Sequence, residues 1–355
     1  MDILIIGAGN GGTTVAADLT IKGNRVTLLK TSRSIHNENY EYIKNHNNEV
    51  VFENGEEVTK CRVNMLTENF DEAFSFFYDL IIIYIQTNYH EALIKKISHY
   101  LQPNQIILLE PGYLSTAYFL KYCGEKNLVI CEAESSPIDC RIVAPGRVKK
   151  LFQNVRNPIG VYPREKNNYA INILSKLGYN FTQLDSVVEA ALHNPNLIVH
   201  TVGAIMSIPR IEFSKGNYSM YREVFTPSVW NLVERLDEEK MRILSVLGLD
   251  KVPYVDACKF RNSKDLSVNA KAVFFDYAMN HSPAGPEISN SRYVTEDVPE
   301  GLVLLESLGK VFDVETPVCT GLIDIASACL SIDFREVGRT VERLGEKYIL
   351  KIKMG

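Results

Sequence analysis

The chain begins with a short apolar strand that runs straight into a cluster of glycines. Residues 2–6 form the strand, and Gly7-Ala-Gly9-Asn-Gly-Gly12 follows as a G-x-G-x-x-G motif that leads into a helical pattern. In such a motif Gly7 permits a tight turn, Gly9 lets the backbone approach a pyrophosphate, and Gly12 lets the helix pack on the strand. The N–H groups at the helix N-terminus then face the phosphates. The sequence therefore predicts a dinucleotide-binding Rossmann domain.

The rest of the first half alternates strand and helix signals. The run 80–85 is apolar on both faces, as a central parallel strand is. Residues 49–63 resemble a hairpin with Asn54-Gly55 at its turn. Alternating strands and helices predict a doubly wound parallel sheet. The other predicted strands are 25–29, 105–109, 128–131 and 158–162, and the other predicted helices are 12–22, 91–101 and 168–177.

Helical periodicity dominates after about residue 182, where strand signals almost vanish. We therefore predict an α/β N-terminal Rossmann domain over residues 1–183, followed by an all-α C-terminal domain over residues 184–355. The predicted helices of the second domain are 186–207, 226–247, 267–277, 301–312, 317–330 and 334–344.

The segment after the second strand bears on the choice between NAD and NADP. NAD-specific sheets usually end this strand with an acidic residue that binds the ribose 2′-hydroxyl. Here the strand runs into Lys30, Thr31, Ser32 and Arg33, whose cations and hydroxyls suit a 2′-phosphate. We predict that NADP is preferred to NAD. The alternative is a solvated basic turn with no cofactor role.

Three further positions are assigned to the cofactor site. Asn10 lies inside the glycine turn, and Gln86 and Pro111 lie in loops that follow predicted strands. Ligands of open α/β sheets bind at the carboxyl ends of the strands, so we expect these loops to border the ribose and the nicotinamide. His90, at the start of a predicted helix, is expected to cap that helix or to lie on the surface.

Composition limits the partners and the location. The net charge is −5 and no basic stripe is visible, so nucleic acid and an anionic membrane are not expected partners. The longest purely apolar run is far shorter than a membrane span, and the start of the chain does not resemble a signal peptide. Seven cysteines occur singly, as in a reducing compartment. We predict a cytoplasmic protein without a metal site; its oligomeric state is left open, with a homodimer as one alternative.

His200 is the first candidate for chemistry in the second half. Pro195 either opens or kinks the predicted helix that carries His200, whose sequence neighbours are apolar. His193 lies seven residues earlier, too far along a helix for the two rings to share one metal ion. From these residues alone His200 also fits a hydrogen-bonded core histidine.

A second candidate segment precedes Pro299. Arg292 and Asp297 lie within six residues of each other. A guanidinium binds carboxylates through two parallel hydrogen bonds, which suits a carboxylate substrate. A surface ion pair explains the same residues equally well at this point.

Four segments of the chain resemble the octopine/opine dehydrogenase family, and the similarity spans essentially the whole length. That family couples an amino acid to a 2-oxo acid by reductive amination with NAD(P)H. The segments occur in the family's order and are 132–141 (EAESSPIDCR), 194–200 (NPNLIVH), 221–229 (YREVFTPSV) and 292–303 (RYVTEDVPEGLV).

The resemblance implies roles for five residues. His200 would be the catalytic acid–base, and Asp297 would fix its tautomer and favour proton exchange near neutral pH. Arg292 would bind a substrate carboxylate. Tyr221 and Glu223 are weaker candidates for orienting the substrates, an amino acid and a 2-oxo acid such as pyruvate.

Two other functions remain open on the sequence. One is a simple 2-oxo or hydroxy acid reductase of the ketopantoate or glycerol-phosphate dehydrogenase type, which shares this domain layout and commonly uses a catalytic lysine. The other is a non-catalytic NAD(P)H sensor, which would keep the glycine motif and need no His/Arg/Asp set.

Overall fold

The computed structural model of the protein describes residues 1–32, 34–282 and 284–355. The chain forms two compact units. The first comprises residues 1–112 and 118–183, and the second comprises residues 113–117 and 184–355. The second unit is thus built from two separate stretches of chain, one of them only five residues long.

Every strand of the described chain lies in the first unit. The strands are β1 (Asp2–Ile6), β2 (Arg25–Leu29), β3 (Glu49–Asn54), β4 (Glu57–Arg62), β5 (Met65–Thr67), β6 (Leu80–Ile83), β7 (Ile106–Leu109), β8 (Val129–Ala133), β9 (Ile138–Ala144), β10 (Arg147–Gln153), β11 (Asn157–Tyr162) and β12 (Phe181–Gln183).

A large sheet has the strand order β12-β11-β8-β7-β6-β1-β2-β5. The six strands from β8 to β5 in that order run parallel, and β11 is antiparallel to β8. Strands β6, β7 and β8 are buried along their whole length, because helices cover a parallel sheet on both faces and both faces are apolar. The prediction of a Rossmann-type α/β unit is confirmed, with an antiparallel edge added.

A second, smaller sheet has the order β4-β3-β10-β9. The hairpin of β3 and β4 is the predicted one, and Gly55 takes a positive φ of 64° at its turn. The hairpin of β9 and β10 was not predicted; it turns at Gly146, where φ is 73°. Half-exposed strands such as β9 carry a polar face, and this weakens the hydrophobic signal on which the prediction rests.

The α-helices of the first half are α1 (Asn10–Ile21), α2 (Asn37–Asn45), α3 (Phe70–Ala73), α4 (His90–Ile97), α5 (Thr116–Cys123) and α6 (Asn167–Leu174). Helix α1 packs against β1 and β2 through small and apolar side chains that are fully buried, among them Val15, Ala16 and Leu19. This packing brings the N-terminus of α1 to the carboxyl end of β1.

The second unit is helical throughout its described part, as predicted. Its α-helices are α7 (Val187–Leu192), α8 (Asn196–Met206), α9 (Ile208–Ser214), α10 (Met220–Glu223), α11 (Pro227–Val246), α12 (Tyr254–Asn262), α13 (Ala270–Asn280), α14 (Arg292–Thr295), α15 (Val303–Val311), α16 (Pro317–Leu330), α17 (Phe334–Val337), α18 (Val341–Leu344) and α19 (Glu346–Met354). A π-helical turn, Val298–Leu302, joins α14 to α15.

The long helix predicted over 186–207 is wrong as a single element. It is interrupted between α7 and α8 at Pro195, which lacks the N–H that a continuous helix needs and disfavours helical backbone at the residue before it. Asn194 accepts a hydrogen bond from the N–H of Asn196 at 3.0 Å and so caps α8.

No single helix of the described ranges is long and apolar enough to cross a membrane. The bent pair Pro317–Leu330 and Phe334–Leu344 passes such a test by length and composition only. Leu322, Ile323 and Ala326 of that pair are buried within the second unit.

Candidate active site

The glycine turn follows β1 as the motif predicts. Gly7 has a φ of 116°, and a Cβ at this position would overlap the carbonyl oxygen of Tyr84. A Cβ on Gly12 would overlap the carbonyl oxygen of Gly7. Both glycines are therefore required by the protein's own packing, one for the turn and one for the contact of α1 with β1.

Gly9 differs from its two partners in the motif. A Cβ here would meet only the ring of His36, at 3.5 Å and 3.8 Å, which is ordinary contact. The packing of the chain thus leaves space above Gly9, beside the first N–H groups of α1. Such space fits a pyrophosphate lying on the helix N-terminus, so the residues present suit a dinucleotide.

Of the three other residues assigned to the cofactor, two lie at the carboxyl ends of strands as expected, and the side chain of the third binds elsewhere. Gln86 follows β6 and Pro111 follows β7, and both are half-buried at the carboxyl ends of neighbouring strands. The side chain of Asn10 is used differently: its Oδ1 accepts a hydrogen bond from the N–H of Ile142 at 2.7 Å, which ties α1 to the small sheet.

Lys30, at the start of the basic segment after β2, is held by the protein's own backbone. The Lys30 ammonium is buried and donates to the carbonyl oxygen of Ile35 at 2.7 Å, and burial lowers its pKa. Thr31 is half-buried, and exposed Ser32 shares a 2.6 Å hydrogen bond with the hydroxyl of Ser34. Arg33 lies outside the described residues.

In the second unit, the structure brings together His200 of α8 and Asp297, which lies between α14 and the π-helical turn. The His200 Nδ1 lies 2.8 Å from Asp297 Oδ2, and the two side chains are only 8% and 3% exposed. A carboxylate accepts hydrogen bonds, so Nδ1–H is the donor and the tautomer with that proton is favoured. The structure therefore places in contact the two residues that the sequence paired as a candidate acid–base.

Two tyrosines that the sequence did not single out complete this arrangement. The ring of Tyr293 stacks on the imidazole of His200, with centroids 3.7 Å apart and planes 6° apart. The hydroxyl of Tyr113 donates to Asp297 Oδ1 at 3.1 Å. Burial, together with the charge of Asp297, holds the pKa of Tyr113 well above its ordinary value, so this hydroxyl is a neutral donor.

Arg292 lies at the start of α14, one residue before Tyr293. Its guanidinium pairs with Glu296, with Nη1 and Oε2 3.3 Å apart, and its side chain is 54% exposed. It is therefore close in sequence to the residues that hold His200 and accessible to an incoming carboxylate.

The two weaker candidates have well-defined packing roles. Tyr221 is buried against an aromatic cluster formed with Phe225, Phe274 and Tyr277. Glu223 accepts hydrogen bonds from Arg210 at 3.0 Å and from a backbone N–H at 2.8 Å.

His90 is a correction to the sequence prediction. It is the first residue of α4, but it is fully buried, and its ring bonds the carbonyl oxygen of Ile85 at 3.3 Å. The hydrogen bond inside the loop after β6 removes it from the surface.

A glycine turn shaped for a dinucleotide and a buried histidine–aspartate pair together define an NAD(P)-dependent oxidoreductase. Comparison with known proteins narrows this class. Residues 183–330 match the family described as NAD/NADP octopine/nopaline dehydrogenase, alpha-helical domain, and residues 3–148 match ketopantoate reductase PanE/ApbA. The helical half of the chain is thus similar to the octopine/nopaline dehydrogenases, and the Rossmann half is similar to ketopantoate reductase.

Individual relatives extend over almost the whole chain. An opine dehydrogenase of Arthrobacter sp. strain 1C is 28% identical over 96% of this chain and 94% of its own. An opine dehydrogenase of Haliotis discus hannai is 23% identical over 89% and 86%. An octopine dehydrogenase solved with NADH and L-arginine shares the fold, with a TM-score of 0.76, 16% identity and coverage of 100% and 98%.

Proposed function

We propose that this enzyme condenses an L-amino acid with a 2-oxo acid, pyruvate in the first instance, and reduces the product with NAD(P)H. The buried pair of His200 and Asp297 carries the proposal, because reductive condensation needs a group that gives and takes protons near neutral pH. Octopine dehydrogenase, a structural relative, has been solved with NADH together with L-arginine or with pyruvate.

The proton transfers are assigned to His200. The neutral amino group attacks the carbonyl carbon of the oxo acid, and His200 donates a proton toward the carbonyl oxygen as water leaves and an imine forms. We assign this exchange to Nε2, because Nδ1 is engaged by Asp297. The carboxylate stabilises the imidazolium that forms when Nε2 takes up a proton.

Arg292 is assigned to a substrate carboxylate. Its pairing with Glu296 at 3.3 Å is at the long end of the hydrogen-bond range, and its side chain is more than half exposed. A planar guanidinium holds a carboxylate through two hydrogen bonds and so orients the reacting carbon. Tyr221 and Glu223 remain predictions for substrate orientation.

The turn Gly7–Gly12 would hold the pyrophosphate of the cofactor, with Gln86 and Pro111 beside the ribose and nicotinamide. When bound, NAD(P)H supplies the hydride that reduces the imine carbon. A preference for NADP rests on Thr31, Ser32 and Arg33, because the Lys30 ammonium is already held by a backbone carbonyl.

The deciding experiment follows the oxidation of NADPH and of NADH with pyruvate, with and without a mixture of L-amino acids. Oxidation that requires both the oxo acid and an amino acid is the expected result, and the product is identified by mass as the N-(1-carboxyethyl) amino acid. A lower KM for NADPH than for NADH is expected; equal values would refute the preference for NADP.

A second candidate is a simple 2-oxo acid reductase. The match of residues 3–148 to ketopantoate reductase favours it, as does the shared fold of D-mandelate dehydrogenase, with a TM-score of 0.64. Oxidation with the oxo acid alone, unchanged by amino acids, would select this function over opine synthesis.

The location of the protein, its partners and its assembly remain predictions. The chain has seven cysteines, all with free thiols, which agrees with the proposed cytoplasmic location. Amino acid and oxo acid are the proposed partners, and a homodimer remains one alternative for the assembly.

A further inference from the structure

Asp297 receives a hydrogen bond on each of its carboxylate oxygens. Oδ2 accepts from His200 and Oδ1 accepts from the hydroxyl of Tyr113. As a whole residue Asp297 is 2% exposed, and Tyr113 is completely buried. A carboxylate removed from water needs such donors, and two donors on opposite oxygens also fix the rotation of its plane.

Tyr113 is itself held in one place. It and Leu114 take positive φ values of 49° and 63°, backbone that turns the segment sharply. The π-helical turn after Asp297 packs Gly301 against the ring: a Cβ on Gly301 would lie 3.3 Å from both Cε1 and the hydroxyl of Tyr113.

Arg339 anchors the short segment from the other side. Its Nη1 donates to the backbone carbonyl of Tyr113 and, at 3.0 Å, to the hydroxyl of Ser115. Its Nε lies 2.6 Å from Glu300, and its backbone N–H donates to Pro299 at 2.9 Å. One buried guanidinium therefore connects residues 113–115 with the turn that follows Asp297.

We propose that Tyr113 is a positioning residue for the acid–base pair, with Arg339 as its anchor. Tyr113 touches neither substrate nor cofactor in this assignment. It orients the Asp297 carboxylate, and the carboxylate in turn selects the Nδ1–H tautomer and the ring angle of His200. The proposal rests on the function assigned above to His200.

The charges around His200 and Asp297 determine how the loss of the Tyr113 hydroxyl changes the pKa of the imidazole. Without its donor, Asp297 keeps more of its charge available to the imidazolium, so the pKa of the imidazole in the pair should rise. The other ionisable groups facing this region are Arg292, Tyr293, Glu296, Glu300 and Arg339, and none of them changes in the variants below except Arg339.

The test compares Tyr113→Phe with Tyr179→Phe. The second variant also removes a buried tyrosine–aspartate hydrogen bond, 2.6 Å long, to Asp18 of the first unit. For Tyr113→Phe we expect kcat to fall about tenfold, the size of one lost hydrogen bond to a charged group, with KM for the nucleotide unchanged. The limb of the pH–rate profile that reports the imidazole should move to higher pH. Tyr179→Phe should change neither.

A second readout does not depend on turnover. Nitrogen NMR of ¹⁵N-histidine-labelled protein, with His200 assigned by its absence in His200→Gln, reports the tautomer directly. Wild type and Tyr179→Phe should show protonated Nδ1, and Tyr113→Phe a mixture. Arg339→Lys keeps the charge but cannot reach all its partners, so it should produce the same mixture even if Tyr113→Phe folds poorly.

The results distinguish failure of the positioning role from failure of the proposed function. An unchanged tautomer and pH profile in both Tyr113→Phe and Arg339→Lys would overturn the positioning role, as would equal losses in the two tyrosine variants. If wild type makes no opine yet Tyr113→Phe still alters the His200 tautomer, the proposed function fails and the positioning role stands.

Discussion

Gly9 and Gly12 lie three residues apart in one turn, but they are glycines for different reasons. A side chain on Gly12 would overlap the carbonyl oxygen of Gly7, whereas a side chain on Gly9 would only touch His36. Gly12 is therefore needed for the fold, whereas Gly9 leaves the space that we propose for the nucleotide. Substitutions at Gly12 and at Gly9 should therefore have different effects, one on stability and the other on nucleotide binding.

We expect Gly12→Ala to lower the melting temperature clearly, because the backbone must move to admit the methyl group, at a cost of about 1–3 kcal/mol. Gly9→Ala should melt as wild type does but bind NAD(P)H at least tenfold more weakly. Thermal unfolding followed by circular dichroism, together with fluorescence titration of the reduced nucleotide, checks both. Normal nucleotide binding by Gly9→Ala would show that the space above it is not used.

The proposed acid–base roles of His200 and Asp297 can be tested by substitution. His200→Gln and Asp297→Asn should lower kcat by about 10²–10⁴-fold, the usual contribution of general acid–base catalysis, with nucleotide affinity nearly constant. Lys215→Gln, an exposed site of the same unit, is the control. Retained turnover in His200→Gln would remove His200 from its role.

Long-range partners were the hardest residues to predict. The glycine turn is local, so its chemistry is readable from six consecutive residues. Asp297 lies 97 positions from His200, and only the family resemblance connected them. Tyr113 lies 184 positions from Asp297 and 226 from Arg339; it follows a loop that the sequence assigned to the cofactor, and nothing local marks its hydroxyl.

At the scale of elements, an ion-pair network centred on the buried carboxylate of Glu306 joins three helices of the second unit. Glu306 of α15 accepts two hydrogen bonds from Arg335 of α17, both 2.8 Å long. It also accepts from Lys310 at 2.9 Å and from Thr320 of α16 at 2.8 Å. These bonds, Arg335 first among them, lower the pKa of Glu306 from 4.5 to about 2.

This depressed pKa predicts a pH-dependent contribution to stability. The carboxylate stabilises the fold fully above pH 4.5, and the contribution is lost as the pH falls from there toward 2. We expect Glu306→Gln to lose about 1–3 kcal/mol at pH 7 and to approach wild type in acid. Urea unfolding between pH 3 and pH 7 measures this, with exposed Glu342→Gln as the control. A constant difference across that range would contradict it.

Elements were predictable where their apolar pattern is strong. The central strands and helix α16 appear at or close to their expected bounds, because buried elements carry an unbroken hydrophobic signal. The small sheet was only half predicted, since β9 and β10 are partly exposed. Helix α9 was missed because it is only seven residues long. Helix α12 was missed because its buried face, formed by Tyr254, Ala257, Cys258 and Arg261, carries no strongly apolar side chain.

At the scale of the whole molecule, the sequence shows a change from alternating strands and helices to helices alone. This change reflects how each half buries its apolar surface, on a sheet or between helices, and so it can be read from periodicity. The passage of residues 113–117 into the second unit cannot, because it depends on hydrogen bonds to Asp297 and Arg339.

The two-part construction of the second unit limits how genes of this kind can recombine. One crossover near codon 183 would join residues 184–355 to residues 113–117 of another lineage. The segment 113–117 of the other lineage would then contact Asp297 and Arg339. Unless that segment carried a tyrosine at position 113 and the same turn, Asp297 would lose a hydrogen-bond donor and His200 would be less well oriented. Lineages that have exchanged residues 184–355 by recombination should therefore also have exchanged residues 113–117, or should share the same sequence there.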